Sequence, residues 1–250
     1  MKNIGLQLYT VREHLTNDEK IDALYKQIKN IGYTEIELFG SIENMEASAR
    51  NANSNGLNIS GTISQFKAYS DREKTVEFCR KFGIKNLGFS ASEFESVDEI
   101  ERFITEANDL AEYLAGYGVT ISYHNHSHEF RKYENGKTAY EMMVDGFDKE
   151  KIGFVLDTYW IQHGGGDIRH WIEKLGGRLT TLHMKDMKRM KDNVVTYAVV
   201  GEGNLWWDGI IAAAEKVGTK HFVVEQDMCD RDSIECITES AVFLKKYLNK

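Results

Sequence analysis

Eight short apolar runs recur along a chain of 250 residues, and segments with apolar positions three and four apart separate most of them. The runs cover 4–9, 35–39, 57–63 and 86–89, then a run led by Val119-Thr120-Ile121, then 152–156, 179–182 and 221–224. Apolar residues in short unbroken runs suit strands buried on both faces, and the three-and-four spacing suits helices packed on one side. Strands that alternate with helices pair in parallel. Eight such units predict an α/β fold, a closed (β/α)8 barrel, as a single domain over residues 1–250. An open doubly wound sheet is the alternative. It rarely takes eight such regular units, and no GxGxxG follows the first run.

Helix signals punctuate the runs. Ser70-Asp71-Arg72-Glu73 and Ser96-Val97-Asp98-Glu99 read as capping boxes. The second opens the strongest helix, with Ile100, Phe103, Ile104, Ala107, Leu110, Ala111 and Leu114 on one face. Proline is absent, so glycine and asparagine must make the turns, as at Asn135-Gly136. Gly164-Gly165-Gly166 reads as a turn that lets Asp167 cap a helix, with phosphate contact as the alternative. Residues 187–205 lack helical period and are long for a connection. They read as a lid or substrate-binding loop.

Polar groups close four of the runs. His124 ends the fifth, Asp157 the sixth, His183 the seventh and Glu225 the eighth. In a barrel, strand ends on one face form the active site whatever their sequence separation. Alternation puts His124 and His126 on one face and Tyr123 and Asn125 on the other. The same rule places Lys185 with His183, Asp227 with Glu225 and Tyr159 with Asp157. Two imidazoles and two carboxylates form a ligand set for one divalent ion: Mn²⁺ by preference, or Co²⁺, Fe²⁺ or Zn²⁺, and less well Mg²⁺. Each residue also has an ordinary explanation. Asp157 serves equally as a helix cap, and Trp160, Trp206 and Trp207 either stack on a sugar ring or pack at the rim.

A net charge of −8 disfavours a nucleic-acid surface. No window is apolar enough for a membrane span. The chain enters its first strand directly, so no leader is expected. Three scattered cysteines without a CxxC pattern point to reduced thiols in a cytoplasmic setting.

These pieces together resemble the xylose-isomerase-like TIM barrels, the sugar phosphate isomerase/epimerase superfamily, over nearly the whole chain. The similar stretches begin with residues 5–12, Gly32-Tyr33, Ile36-Glu37-Leu38 and Tyr123-His124-Asn125-His126. They continue with residues 156–160, 182–186, Gly201-Glu202-Gly203 and Val224-Glu225-Gln226-Asp227. The resemblance implies the metal ligands His124, Asp157, His183 and Glu225, with His124 standing where a glutamate is usual. It also implies a small sugar or keto-sugar as substrate, a tendency to homo-oligomers, and Gln7 and Glu202 among the substrate contacts. A Tyr-His-x-His fifth strand is similar to the inosose dehydratase branch. Thr62 and Trp160 replace histidines that the apurinic endonuclease branch needs, which argues against DNA repair.

The expected chemistry is proton abstraction next to a carbonyl, through an enediolate, with Glu225 or His126 as base. Lys185 is expected to offset charge on the developing oxyanion, Glu37 to orient hydroxyls from the opposite rim, and Trp160 to contact the sugar. Isomerisation or epimerisation leads, and dehydration or cleavage of a keto-glycoside is the alternative. A noncatalytic sugar-binding barrel, or a subunit that needs a partner, is a third reading.

Overall fold

β-Branched and aromatic residues recur in most of the strands. A computed structural model describes residues 3–248. Met1 and Lys2, where the absence of a leader was read, lie outside them. Seven parallel strands come first: β1 (Gly5–Gln7), β2 (Glu35–Phe39), β3 (Asn58–Gln65), β4 (Asn86–Ser90), β5 (Thr120–His124), β6 (Ile152–Asp157) and β7 (Leu179–Met184). An antiparallel pair follows, β8 (Asp186–Arg189) and β9 (Val195–Ala198), and then β10 (His221–Val224). β10 inserts between β7 and β1 and closes the ring β1-β10-β7-β6-β5-β4-β3-β2. The closed barrel is as expected, and an open sheet is excluded.

The helices are α1 (Asp18–Ile31), α2 (Ile42–Ala49), α3 (Arg72–Phe82), α4 (Val97–Ala115), α5 (Ala139–Gly146), α6 (Thr158–His163), α7 (Ile168–Leu175), α8 (Trp207–Lys216) and α9 (Ser233–Leu244). α4 buries the stripe its spacing foretold at Ile100, Phe103, Ala107, Leu110, Ala111 and Leu114, while Ile104 is half-buried. Phe103 meets Tyr123 of β5 and Phe147 at ring distances of 6.1 and 6.2 Å. Burying such aromatic faces between sheet and helices is the main force that closes the barrel. It also fixes the facing of β5: Tyr123 points outward to the helices, so His124 must point inward.

Local expectations need correction in five places. The first strand ends at Gln7, not Tyr9, because the Gln7 side chain accepts from the Tyr9 amide and turns the chain into a 3-10 segment, Leu8–His14. Asp71, not Ser70, caps α3. At α4, Ser96 caps Glu99, but the Glu99 carboxylate turns back to the Glu95 amide instead of completing a box. The full capping box is Thr138 with Glu141. Tyr159 lies on α6 rather than at a strand end, and stacks on Tyr197 at 4.5 Å.

The fifth correction concerns residues 187–205, which are not structureless. β8 and β9 form a hairpin whose loop places Asp192 and Asn193 at φ +59° and +62°. Aspartate and asparagine tolerate that left-handed conformation, which usually calls for glycine. The strands carry no apolar alternation, so the hairpin left no periodic signal. Among the described residues, no helix is long and apolar enough to cross a membrane.

Candidate metal centre and substrate pocket

Strand register decides which side chains meet. His124 pairs with Val155, Asp157 pairs with His183, and His183 pairs with Val223. Asp157 therefore lies two residues beyond His124's partner, and Glu225 two beyond that of His183. Steps of two keep every side chain on the inner face, and barrel tilt brings staggered positions to one height. The result is that His124, Asp157, His183 and Glu225 each offer a ligand atom, all within 4.8 Å of one another. All four are buried.

One member of this cluster, His124, is poorly served by the protein itself. Both of its ring nitrogens are buried without a hydrogen bond. Such groups are rare in native proteins and ask for an explanation. His124 Nε2 stands 3.5 Å from Asp157 Oδ2. Burial, then the charge on His183, lowers the His124 pKa to about 3, so the ring is neutral and keeps a lone pair for a ligand. Asp157 splits its two oxygens. Oδ1 accepts from the Trp160 amide at 3.0 Å and caps α6, while Oδ2 faces the cluster. The helix-cap expectation holds on Oδ1, and Oδ2 is left facing the cluster.

His183 is held at both ends. Nδ1 bonds Glu225 Oε2 at 2.8 Å, and Nε2 bonds Glu37 Oε2 at 2.6 Å. Burial opposes a charge there, but the two carboxylates outweigh it and raise the pKa to about 10. Gln7 Nε2 donates to the same Glu37 oxygen at 2.6 Å. Glu37 is therefore not a rim residue waiting for hydroxyls: it is buried and orients His183. A carboxylate on the far nitrogen of a ligand histidine fixes its tautomer and strengthens it as a donor.

Lys185 also differs from expectation. Its ammonium is buried, 2.9 Å from Asp157 Oδ2, 2.9 Å from Glu225 Oε2 and 2.8 Å from Asp227 Oδ1. Burial works against that charge, and the three carboxylates overcome it, holding the pKa well above the usual lysine value. It balances these carboxylates rather than standing free to meet an oxyanion. Glu225, despite burial, is held well below the usual carboxylate range by Lys185 and His183. The cluster sets three buried carboxylates (Glu37, Asp157, Glu225) and the half-buried Asp227 against two basic groups, His183 and Lys185. Excess buried negative charge is costly unless a cation joins it. The orphaned nitrogens of His124 and this imbalance both fit a divalent ion held by His124, Asp157, His183 and Glu225.

Above the cluster lies a cavity of about 790 Å³, whose lining includes Gln7, His124, His126, Trp160, Lys185, Glu225 and Asp227. His126 follows His124 with ring centroids 5.1 Å apart, and Trp160 stands 5.6 Å from His126. Glu202 does not line this cavity. It is exposed and pairs with Arg231 at 2.8 Å.

Two features of the site were not read from the sequence. Asp186 is buried and accepts hydrogen bonds from the amides of Met187, Gly201, Gly203 and Leu205 and from Trp207 Nε1. A Cβ at position 203 would collide with this carboxylate, so the Gly-Glu-Gly motif is glycine for close approach, not for ligand contact. That anchor seats the hairpin, and Tyr197 then stacks on Tyr159 beside Trp160. The glycine pair around an acidic residue was visible, but its partner lies 15 residues away.

A model of the xylose isomerase-like TIM barrel family matches residues 16–247. Two crystal structures of sugar phosphate isomerase/epimerases from Parabacteroides distasonis share the fold with TM-scores of 0.83, at 22% and 24% identity. They cover 98% of this chain and 93% and 98% of their own. The IolI protein, crystallised with a bound zinc atom, gives a TM-score of 0.76 at 16% identity, covering 99% of this chain and all of its own (100%). Inosose dehydratases from three strains of Mesomycoplasma hyopneumoniae are 24% identical over 147 residues, 52% of this chain and 48% of theirs. The chain thus spans about half the length of the curated relatives it matches. With a closed eightfold barrel and a family match along nearly all of its length, the chain belongs to the xylose isomerase-like TIM barrel family.

Proposed function

We propose that the chain is a divalent-metal-dependent sugar isomerase or epimerase that removes a proton next to a substrate carbonyl. The observation that carries this is the pair of unpartnered ring nitrogens on buried His124, which meets Asp157, His183 and Glu225 on the floor of a large pocket. A bound divalent ion would polarise the carbonyl and stabilise the negative charge left by the departing proton. His126 and Glu225 reach the same pocket from β5 and β10, with β6 and β7 between them. Two acid–base groups at separate positions take a proton from one carbon and return one elsewhere. Glu37 and Gln7 hold His183 in one orientation, Lys185 keeps the carboxylates together, and Trp160 walls one side of the sugar. The substrate class is a small sugar or keto-sugar. Manganese is the preferred ion on ligand type, with cobalt, iron, zinc or magnesium as alternatives.

One observation favours a second reading. The fifth-strand ligand is a histidine, and another histidine follows it on the same face. A neutral imidazole that takes a proton and hands it to a leaving hydroxyl or alkoxide suits elimination, hence a keto-sugar dehydratase or lyase. Incubation with keto-sugars in D₂O separates the two. Deuterium in recovered sugar supports isomerisation, and loss of water or an aglycone supports elimination. Purified protein that takes up no Mn²⁺, Co²⁺ or Zn²⁺ in stoichiometric amount would refute both and leave a noncatalytic binding barrel.

A further inference from the structure

The pocket has two chemically different halves. The ionic half comes mainly from β5, β6, β7 and β10, with Glu37 of β2 and Gln7 of β1 bonded into it. The other half comes from the opposite arc of the ring, β1, β2 and β3, and the segments that follow them. There the lining includes Tyr9, Phe39, Ile63 and Ala68. Tyr9 and Phe39 meet edge to face at 5.2 Å, and the Arg12 guanidinium lies 4.0 Å over the Tyr9 ring and braces it. None of these four is fully buried, so they present apolar surface to the cavity.

Polar groups do line this arc, but most are already committed. Ser41 Oγ caps α2, Ser64 Oγ donates to the Gly40 carbonyl at 2.7 Å, and Gln65 Nε2 donates to Ser90 Oγ at 3.2 Å. What remains for a ligand is mostly carbon, with one lysine, Lys67, at the edge. Size points the same way. A cavity of about 790 Å³ lies in the upper part of the range that suits drug-sized ligands, ~300–1,000 Å³, and a single hexose leaves much of it empty.

We infer that the substrate is a sugar bearing a bulky uncharged substituent, an aryl group or a similarly apolar ring. The sugar reacts at the ionic half, and the substituent lies on the wall of Tyr9, Phe39, Ile63 and Ala68. This rests on the proposed function for the identity of the reacting half. The apolar wall stands on its own geometry. A free sugar phosphate is the competing substrate, and it needs a cation where, among the described residues, the wall offers Lys67 alone.

The test is calorimetric binding of matched probes to the full chain: the methyl and the phenyl β-glycosides of glucose, galactose and xylose, and glucose 6-phosphate. Burying one phenyl ring on this wall should tighten binding about tenfold or more over the methyl glycoside. Phe39→Ala should bring the phenyl-to-methyl ratio down toward one. Ala68→Asp, which sets a charge on the wall without emptying the core, should do the same. Equal binding of methyl and phenyl glycosides, or no binding of either, overturns the inference. So does tighter binding of glucose 6-phosphate that Lys67→Ala abolishes. Metal content measured on the same samples separates the two readings. A phenyl preference in metal-free protein that takes up no ion keeps this inference and refutes the proposed chemistry, and a metal-loaded protein without the preference does the reverse.

Discussion

Asp186→Asn is the perturbation whose size follows most directly from the structure. Oδ2 of Asp186 accepts from the amides of Gly201 and Gly203 and from Trp207 Nε1, and Oδ1 accepts from the amides of Met187 and Leu205. Asparagine keeps one oxygen and turns the other into a donor. Whichever way the amide lies, at least two N–H groups then face an NH₂. Hydrogen bonds to a charged group contribute about 1.5–3 kcal/mol each, and buried donors left unpaired cost a similar amount. The expected loss is therefore about 3–5 kcal/mol. At about 2–4 °C per kcal/mol for a domain of this size, the melting temperature should fall by about 10 °C. Urea titration gives the free energy, and hydrogen exchange of residues 186–207 gives its location. Protection should collapse across the hairpin and the 201–205 loop while β4 and β5 keep theirs. A variant within about 1 kcal/mol of the parent, with the hairpin still protected, would show that solvent rather than this carboxylate satisfies those amides.

Three more expectations follow from the same geometry. Gly203→Ala drives a methyl group into the Asp186 carboxylate and should destabilise as much as Asp186→Asn, without affecting metal content; an unchanged urea midpoint refutes the close approach. Mn²⁺, Co²⁺ or Zn²⁺ at a hundred times its dissociation constant should add about 2.7 kcal/mol, a rise of roughly 5–10 °C that chelation reverses and that Asp157→Ala abolishes. Glu37→Gln should weaken metal binding about 10- to 100-fold in calorimetry by releasing His183 from its carboxylate, and an unchanged affinity would show that Glu37 does not orient that ring.

The clustering of His124, Asp157, His183 and Glu225 was legible because barrel strands end on one face and because side-chain parity is local. Val119-Thr120-Ile121 ahead of His124, and Phe154-Val155-Leu156 ahead of Asp157, state both strand and end. Residues that act through a long-range partner were not legible. Glu37 reads as a polar group on the opposite rim, and only ring closure brings it against His183, 146 residues away. Lys185 reads as free positive charge until three carboxylates from two other strand ends meet it. Glu202 reads as part of a site motif, yet its glycines serve Asp186 while its own carboxylate goes to Arg231.

Alone, the sequence determined the strand–helix rhythm, the facing of each strand and the chemical types brought to the barrel mouth. These depend on apolar periodicity and on the two-residue repeat of a strand, which neighbouring residues set. Only the tertiary structure decided which nitrogens and oxygens are already bonded, which remain open, and that the pocket is ionic on one arc and apolar on the other. Those outcomes depend on register between strands far apart in the chain, and register is set when the sheet closes.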